Sequence, residues 1–159
     1  MSLNSTLKTL SLASLLALSG FAFTPAALAG DCPAGQTAAD AMKPGATMPK
    51  DVTDNVIGSI DLGNGYNIAG KTMRMRKLVV QPGGIVPWHS HNERPAMIYI
   101  VSGEVVEYAS SCAVPIVHKA GDIAPEKAGT SHWWKNTTRK PVVLLSADIL
   151  HDKADHKSM

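Results

Sequence analysis

The chain lacks most of what would make its function easy to read. It has no basic stripe and no Lys/Arg cluster, so nothing supports nucleic-acid binding. No serine, cysteine or paired carboxylates are arranged for nucleophilic or glycosidic chemistry. No helix-period pattern of normal length occurs, and no internal repeat of fixed period. Beyond the N-terminal stretch, no run is long and apolar enough to cross a bilayer. Cysteine is limited to two residues, Cys32 and Cys112.

The first stretch reads as an address. Lys8 is the only charge before Asp31, Leu10 to Phe23 is largely apolar, and Ala27-Leu28-Ala29 fits a small-x-small cleavage signal. Residues 1–29 are therefore expected to be a signal peptide cut after Ala29. That would leave Gly30–Met159, enough for one domain with one core. Of the fifteen Lys and Arg, fourteen remain after Lys8 is removed, against thirteen acidic residues, a formal charge near +1. Export into an oxidising compartment, the periplasm, favours a Cys32–Cys112 disulfide. Two free thiols, with Cys112 near a site, is the competing reading.

Residues 30–54 are rich in Ala, Gly, Pro, Lys and Asp and read as an arm or linker, with room for one helical turn at 38–43. From Val56 the texture is strand and turn. Strands are expected at Val56–Leu62, Lys71–Gln81, Ile85–His91, Ala96–Val101, Glu104–Tyr108, Val114–His118, Asp122–Pro125, His132–Asn136 and Val142–Ile149. The segment Pro82-Gly83-Gly84 is read as a turn between two of them. Many short strands with Gly/Pro turns imply an all-β antiparallel sandwich or barrel over 55–150, followed by a charged tail at 151–159.

Two stretches carry chemistry. One runs from Gly83 to His91 and includes His89 and His91. The other runs from Gly121 to His132. An H-x-H pair on a strand puts both imidazoles on one face. A third imidazole from another strand makes most of a metal site. His118, His151 and His156 lack such context.

These stretches resemble the paired motifs of the cupin superfamily, G-x5-H-x-H-x3,4-E-x6-G and G-x5-P-x-G-x2-H-x3-N. Gly83, His89, His91 and Gly103 match the first, and Gly121, Gly129, His132 and Asn136 match the second. The resemblance implies a double-stranded β-helix, or jelly-roll barrel, holding a divalent transition metal (Fe, Mn, Ni or Zn) on His89, His91 and His132. Two positions depart. Ala96 stands where the family has its glutamate ligand, seven residues before Gly103, and Lys127 replaces the second-motif proline. Three neutral imidazoles leave the ion its full +2 charge and open positions. An anionic or chelating ligand would then be favoured. Three-histidine branches of the superfamily include thiol and diketone dioxygenases.

Glu93 could supply the missing carboxylate or be a solvated turn residue. Arg94 is read at the mouth, either as a carboxylate clamp or in a structural ion pair. Strand alternation from the histidines turns Pro87, Trp134 and Asn136 inward and Trp88 and Ser90 outward, and the resemblance, through its glutamate position, implies that Ala96, Ile98 and Ile100 face inward too, giving a mostly apolar pocket with few acids or bases. The expected function is a metal-dependent, dioxygenase-like enzyme. The alternatives are a non-catalytic metal- or ligand-binding cupin and a purely structural module. The arm could swap across a homodimer.

Overall fold

The structure, a computed structural model, describes residues 30–42 and 44–151. The signal segment, Lys43, His156 and the rest of the tail after His151 lie outside the described residues. Eight strands form, and no helix does among the described residues: β1 (Lys50–Asp61), β2 (Lys71–Ser90), β3 (Ala96–Ser102), β4 (Glu104–Ala109), β5 (Ile116–Lys119), β6 (Ile123–Glu126), β7 (Ser131–Lys135) and β8 (Val142–His151). They pair antiparallel in the order β5-β4-β7-β2-β8-β3-β6, with β1 added to β2. The result is a nearly closed jelly-roll barrel. Its apolar core is Leu78, Val80, Val86, Ile100, Val105, Ala124, Trp134, Val142 and Leu144.

Three expectations about elements change. Pro82-Gly83-Gly84 is not a turn between strands; one twenty-residue strand, β2, runs through it. Its first half pairs with β8 through Val80, and its last part pairs with β7 from Ile85, so the three residues bend one strand from pairing with β8 to pairing with β7. Gly83 takes a φ of 75° there, and a side chain on Gly84 would lie 2.7 Å from the Asp51 carbonyl oxygen. Glycine is required at both positions. Strand β1 starts at Lys50, inside the segment read as arm, because Val52 and Asp54 already pair with β2. Residues 38–42 form turns rather than a helical turn. Their amides at Ala38 and Ala41 bond instead to the carbonyls of Ser111 and Ser110.

Asn136 locks the bend. Its Nδ2 donates to the carbonyls of Val80 (2.9 Å) and Lys140 (2.7 Å), and its Oδ1 accepts from Thr138 N and Oγ1. Its backbone bonds across to Gly83 and Gly84. The side chain is fully buried, so Asn136→Ala leaves carbonyls unpaired in the interior. We expect a loss of about 2–3 kcal/mol in urea unfolding, from two or more buried groups losing their partners.

The disulfide between Cys32 and Cys112 is present. It spans eighty positions and contributes about 4 kcal/mol by restricting the unfolded chain. A bridge between Thr37 and Cys112 and a bond from Trp88 N to the Ala46 carbonyl (2.7 Å) lay the arm along the barrel.

Candidate metal centre

The histidines reach one point because of an irregularity in β2. Val86 pairs with Trp134 and His89 pairs with His132, so three steps on β2 face two on β7. The extra residue at Pro87–Trp88 is a β-bulge, tolerated because proline has no amide hydrogen to lose from the ladder. The freed Trp88 amide is the one the arm satisfies at Ala46. The bulge resets the alternation. Val86 enters the core on one side of it, while His89 and His91 turn inward on the other.

The three Nε2 atoms converge. His91 lies 3.0 Å from His89 and 3.0 Å from His132, and His132 lies 3.1 Å from His89. Each ring's Nδ1 faces an oxygen. His89 donates to the Pro87 carbonyl (2.8 Å), His91 to the Arg94 carbonyl (2.8 Å) and His132 to Glu107 Oε1 (2.6 Å). With the proton on Nδ1, each Nε2 presents a lone pair, and no proton lies between them to satisfy the other two. Trp134 Nε1 also lies 3.0 Å from His132 Nδ1, but the shorter contact to a carboxylate decides that ring's tautomer. Three lone pairs aimed at one point fit a cation and little else. Burial, followed by repulsion from His132, lowers the pKa of His89 to about 2 and that of His91 to about 4, so both stand neutral and ready to coordinate.

The surroundings are not the apolar pocket expected from β3 and β7 alone. Glu107 on β4 sits opposite Trp134, and Glu126 on β6 sits opposite Ala96. Asp148 on β8 is the other cross-strand partner of Ala96. All three acids are buried. Glu107 accepts from His118 Nε2 (2.7 Å) and His132 Nδ1. Burial alone would raise its carboxyl, but those two hydrogen bonds win and hold it at about 2. Glu126 goes the other way, raised by burial and by the negative Glu107; its Oε2 lies 3.5 Å from His132 Nδ1 and its Oε1 has no partner. Asp148 is claimed by a two-pronged Arg74 (2.9 and 2.7 Å), with Arg76 at 3.4 Å. Glu107, Glu126 and His132 make a second group close enough to hold a cation, sharing His132 with the first.

The remaining sequence candidates fall as follows. Glu93 is exposed on the turn and in neither cluster. Arg94 is not at a solvent mouth. It is 3% exposed, with its guanidinium 4.0 Å from Asp148, because the turn after His91 folds it back onto β8. Ala96 is buried and lines a cavity of about 380 Å³ with Met73, Met97, Glu126 and Asp148. Ile98, Ile100 and Trp134 pack in the apolar core, Trp134 stacked on His118 at 4.7 Å. Pro87 and Asn136 are buried and Ser90 is exposed, as alternation implies. His151 is exposed, whereas His118, which has no motif around it, is fully buried.

Glu107, Glu126, Asp148 and His118 were missed, although a signal existed. Each occupies the inward parity of its own strand: Val105-Glu107-Ala109, Ile116-His118, Ala124-Glu126 and Leu144-Ser146-Asp148 on β4, β5, β6 and β8. A charged residue on an otherwise apolar strand face is rare enough to notice.

An antiparallel jelly-roll barrel with a His/Glu cluster able to chelate a metal defines a metal-binding cupin. Residues 76–148 match the cupin domain family, and the chain carries a cupin-fold domain. It is 28% identical over 124 residues to nectarin-1 of Nicotiana langsdorffii x Nicotiana sanderae, covering 73% of this chain and 53% of that protein. The chain thus spans about half the length of the curated relatives it matches. Among solved structures it is similar to the Schizosaccharomyces pombe Cnp3 cupin domain, with a TM-score of 0.51 and 12% identity, covering 65% of this chain and 66% of that one. It is also similar to an oxalate oxidase in complex with the substrate analogue glycolate, with a TM-score of 0.50 and 18% identity, covering 69% and 59%.

Proposed function

We propose that this protein is an exported, metal-dependent enzyme of dioxygenase-like type that acts on an anionic or chelating small molecule. His89, His91 and His132 hold a divalent transition metal. The observation that carries the reading is the convergence of three Nε2 lone pairs within 3.0–3.1 Å of one another, each ring fixed by its Nδ1 hydrogen bond. A bound ion would supply Lewis-acid polarisation of a coordinated substrate oxygen or sulfur and, if it is redox-active, a place for oxygen.

The chain's own residues set the terms. Glu107 holds the His132 ring in orientation through Nδ1. With Ala96 in place of a carboxylate, the three-histidine set contributes no negative charge, so an anionic substrate group balances the ion. Glu126 stands across the strand pair from Ala96 and on the Nδ1 side of His132, its carboxyl held toward the protonated form by burial and by Glu107.

A non-catalytic binding protein is the second reading. It is favoured by the burial of His91 and His132, at 3% and 1% exposed, which restricts substrate approach. Metal analysis of native protein comes first. Less than half an equivalent of transition metal with no tight rebinding sinks both readings. Oxygen uptake by the iron form is then followed with thiols, diketones, enols, oxalate and glycolate. Uptake with any of them supports the enzyme. If every metal form is inert yet binds one of these anions tightly, the binding protein stands.

A further inference from the structure

A second polar site lies where the arm begins. His118 is fully buried on β5, and its Nε2 donates to Glu107 Oε2. Its Nδ1 is therefore a lone-pair acceptor, and it has no hydrogen-bond partner among the described residues. Gly30 lies directly against it. A side-chain carbon added to Gly30 would sit 2.6 Å from the Ile123 carbonyl oxygen and 3.1 Å from His118 Nδ1. A carbon cannot occupy that position. A nitrogen carrying hydrogens can, because both neighbours are acceptors within about two tenths of an ångström of charge-assisted hydrogen-bond distance.

Gly30 is also the residue that cleavage after Ala29 would make the first of the mature chain. Its Cα carries three substituents that rotation about the Cα–C bond interchanges. While the peptide bond to residue 29 exists, the nitrogen must lead back along the chain. Once that bond is cut, the nitrogen is free to rotate into the two-acceptor position, and only glycine leaves hydrogens in the other two. Two residues on, Cys32 is held by its disulfide to Cys112, so the end of the arm is already tethered close by. Gly30 lines a cavity of about 450 Å³ whose wall includes the ionised Glu107, which favours a cation there.

We propose that signal cleavage creates an α-ammonium on Gly30 that docks between the Ile123 carbonyl oxygen and His118 Nδ1. The docked ammonium completes a hydrogen-bonded chain through His118 and Glu107 to the Nδ1 of His132. Processing thereby buttresses, through His118, the carboxylate that orients a metal-site histidine. The ligand class of this site is a primary ammonium, and its occupant is the chain's own first residue. The inference rests on the export reading, not on the enzyme reading, and its test uses metal-free protein so that the two fail separately.

The mass of the exported protein should place its first residue at Gly30; any other start overturns the proposal. Two further proteins, beginning at Gly30 and at Ala29, are compared. In the first, amine-directed acylation of the terminal residue, read by mass spectrometry of the N-terminal peptide, should be slower by about tenfold or more. Its Tm should be higher by about 4 °C, and the ¹⁵N resonance of His118 Nδ1 should move as its lone pair becomes hydrogen-bonded. Equal acylation rates and equal Tm in the two proteins overturn it.

Discussion

Replacing His132 with alanine should lower transition-metal affinity by more than about 100-fold, the upper end of what loss of a supporting hydrogen bond costs. His132 both presents an Nε2 lone pair 3.0 and 3.1 Å from its two companions and fills one side of the Glu107 carboxylate. Its removal leaves two donors and a buried acid with one partner. Glu107→Gln should do less, about 10–100-fold, since it weakens the grip on the ring but keeps the nitrogen. Glu93→Gln should leave affinity within about twofold, because its carboxylate is exposed and outside both clusters. Chelator-competition titration with metal counting reads all three. Tight metal in the His132 variant would show that the three histidines are not the ligand set, and a tenfold loss in the Glu93 variant would make Glu93 a ligand or an essential supporting partner of one.

The metal-free protein should lose stability between pH 6.5 and 3, in two stages. Below pH 6.5 the unfolded chain takes up protons on His89 and His91, while the folded chain declines them until about pH 2 and about pH 4. Stability therefore falls toward acid. Glu126 opposes this. Its raised pKa means that the folded chain keeps a proton the unfolded chain sheds above 4.5, so its contribution grows as pH falls to that value. Asp54, raised by burial despite Arg76, acts in the same sense just above 3.8. The two histidines together give a slope of up to about 2.7 kcal/mol per pH unit, which the Glu126 proton reduces. Below 4.5 Glu126 drops out and Glu107 enters. Its carboxyl, held at about 2, has its stabilisation fully present above 4.5 and loses it as pH falls toward 2. His91 drops out near pH 4, where the folded chain binds its proton. Urea unfolding across this range gives the slope directly. Glu126→Gln should remove the opposing proton and steepen the slope above pH 4.5; an unchanged slope would mean that Glu126 is ionised in the folded protein.

Much of this was legible because it is local. The H-x-H spacing put His89 and His91 on one face, and the second motif supplied His132 and Asn136. The bulge at Pro87–Trp88 was not legible. It is a mismatch between two strands forty residues apart, and either strand alone looks regular. The bend at Pro82–Gly84 misled for the opposite reason. Its local chemistry is that of a turn, but pairing with β8 before it and β7 after it keeps the chain extended.

The acids mark the same boundary. Parity along β4, β6 and β8 could have turned Glu107, Glu126 and Asp148 inward, but not paired them with partners. Glu107 holds His132 because β4 lies beside β7, and Glu126 faces Ala96 because β6 lies beside β3. The sequence by itself determined the strand-rich texture, the three histidines and the alanine where a fourth ligand was expected, since each depends on neighbours a few residues away. Only the tertiary structure decided which acids serve those histidines, that Arg94 is buried beside Asp148, and that His118 has an open acceptor beside Gly30. Those are relations across strands, set by register and burial.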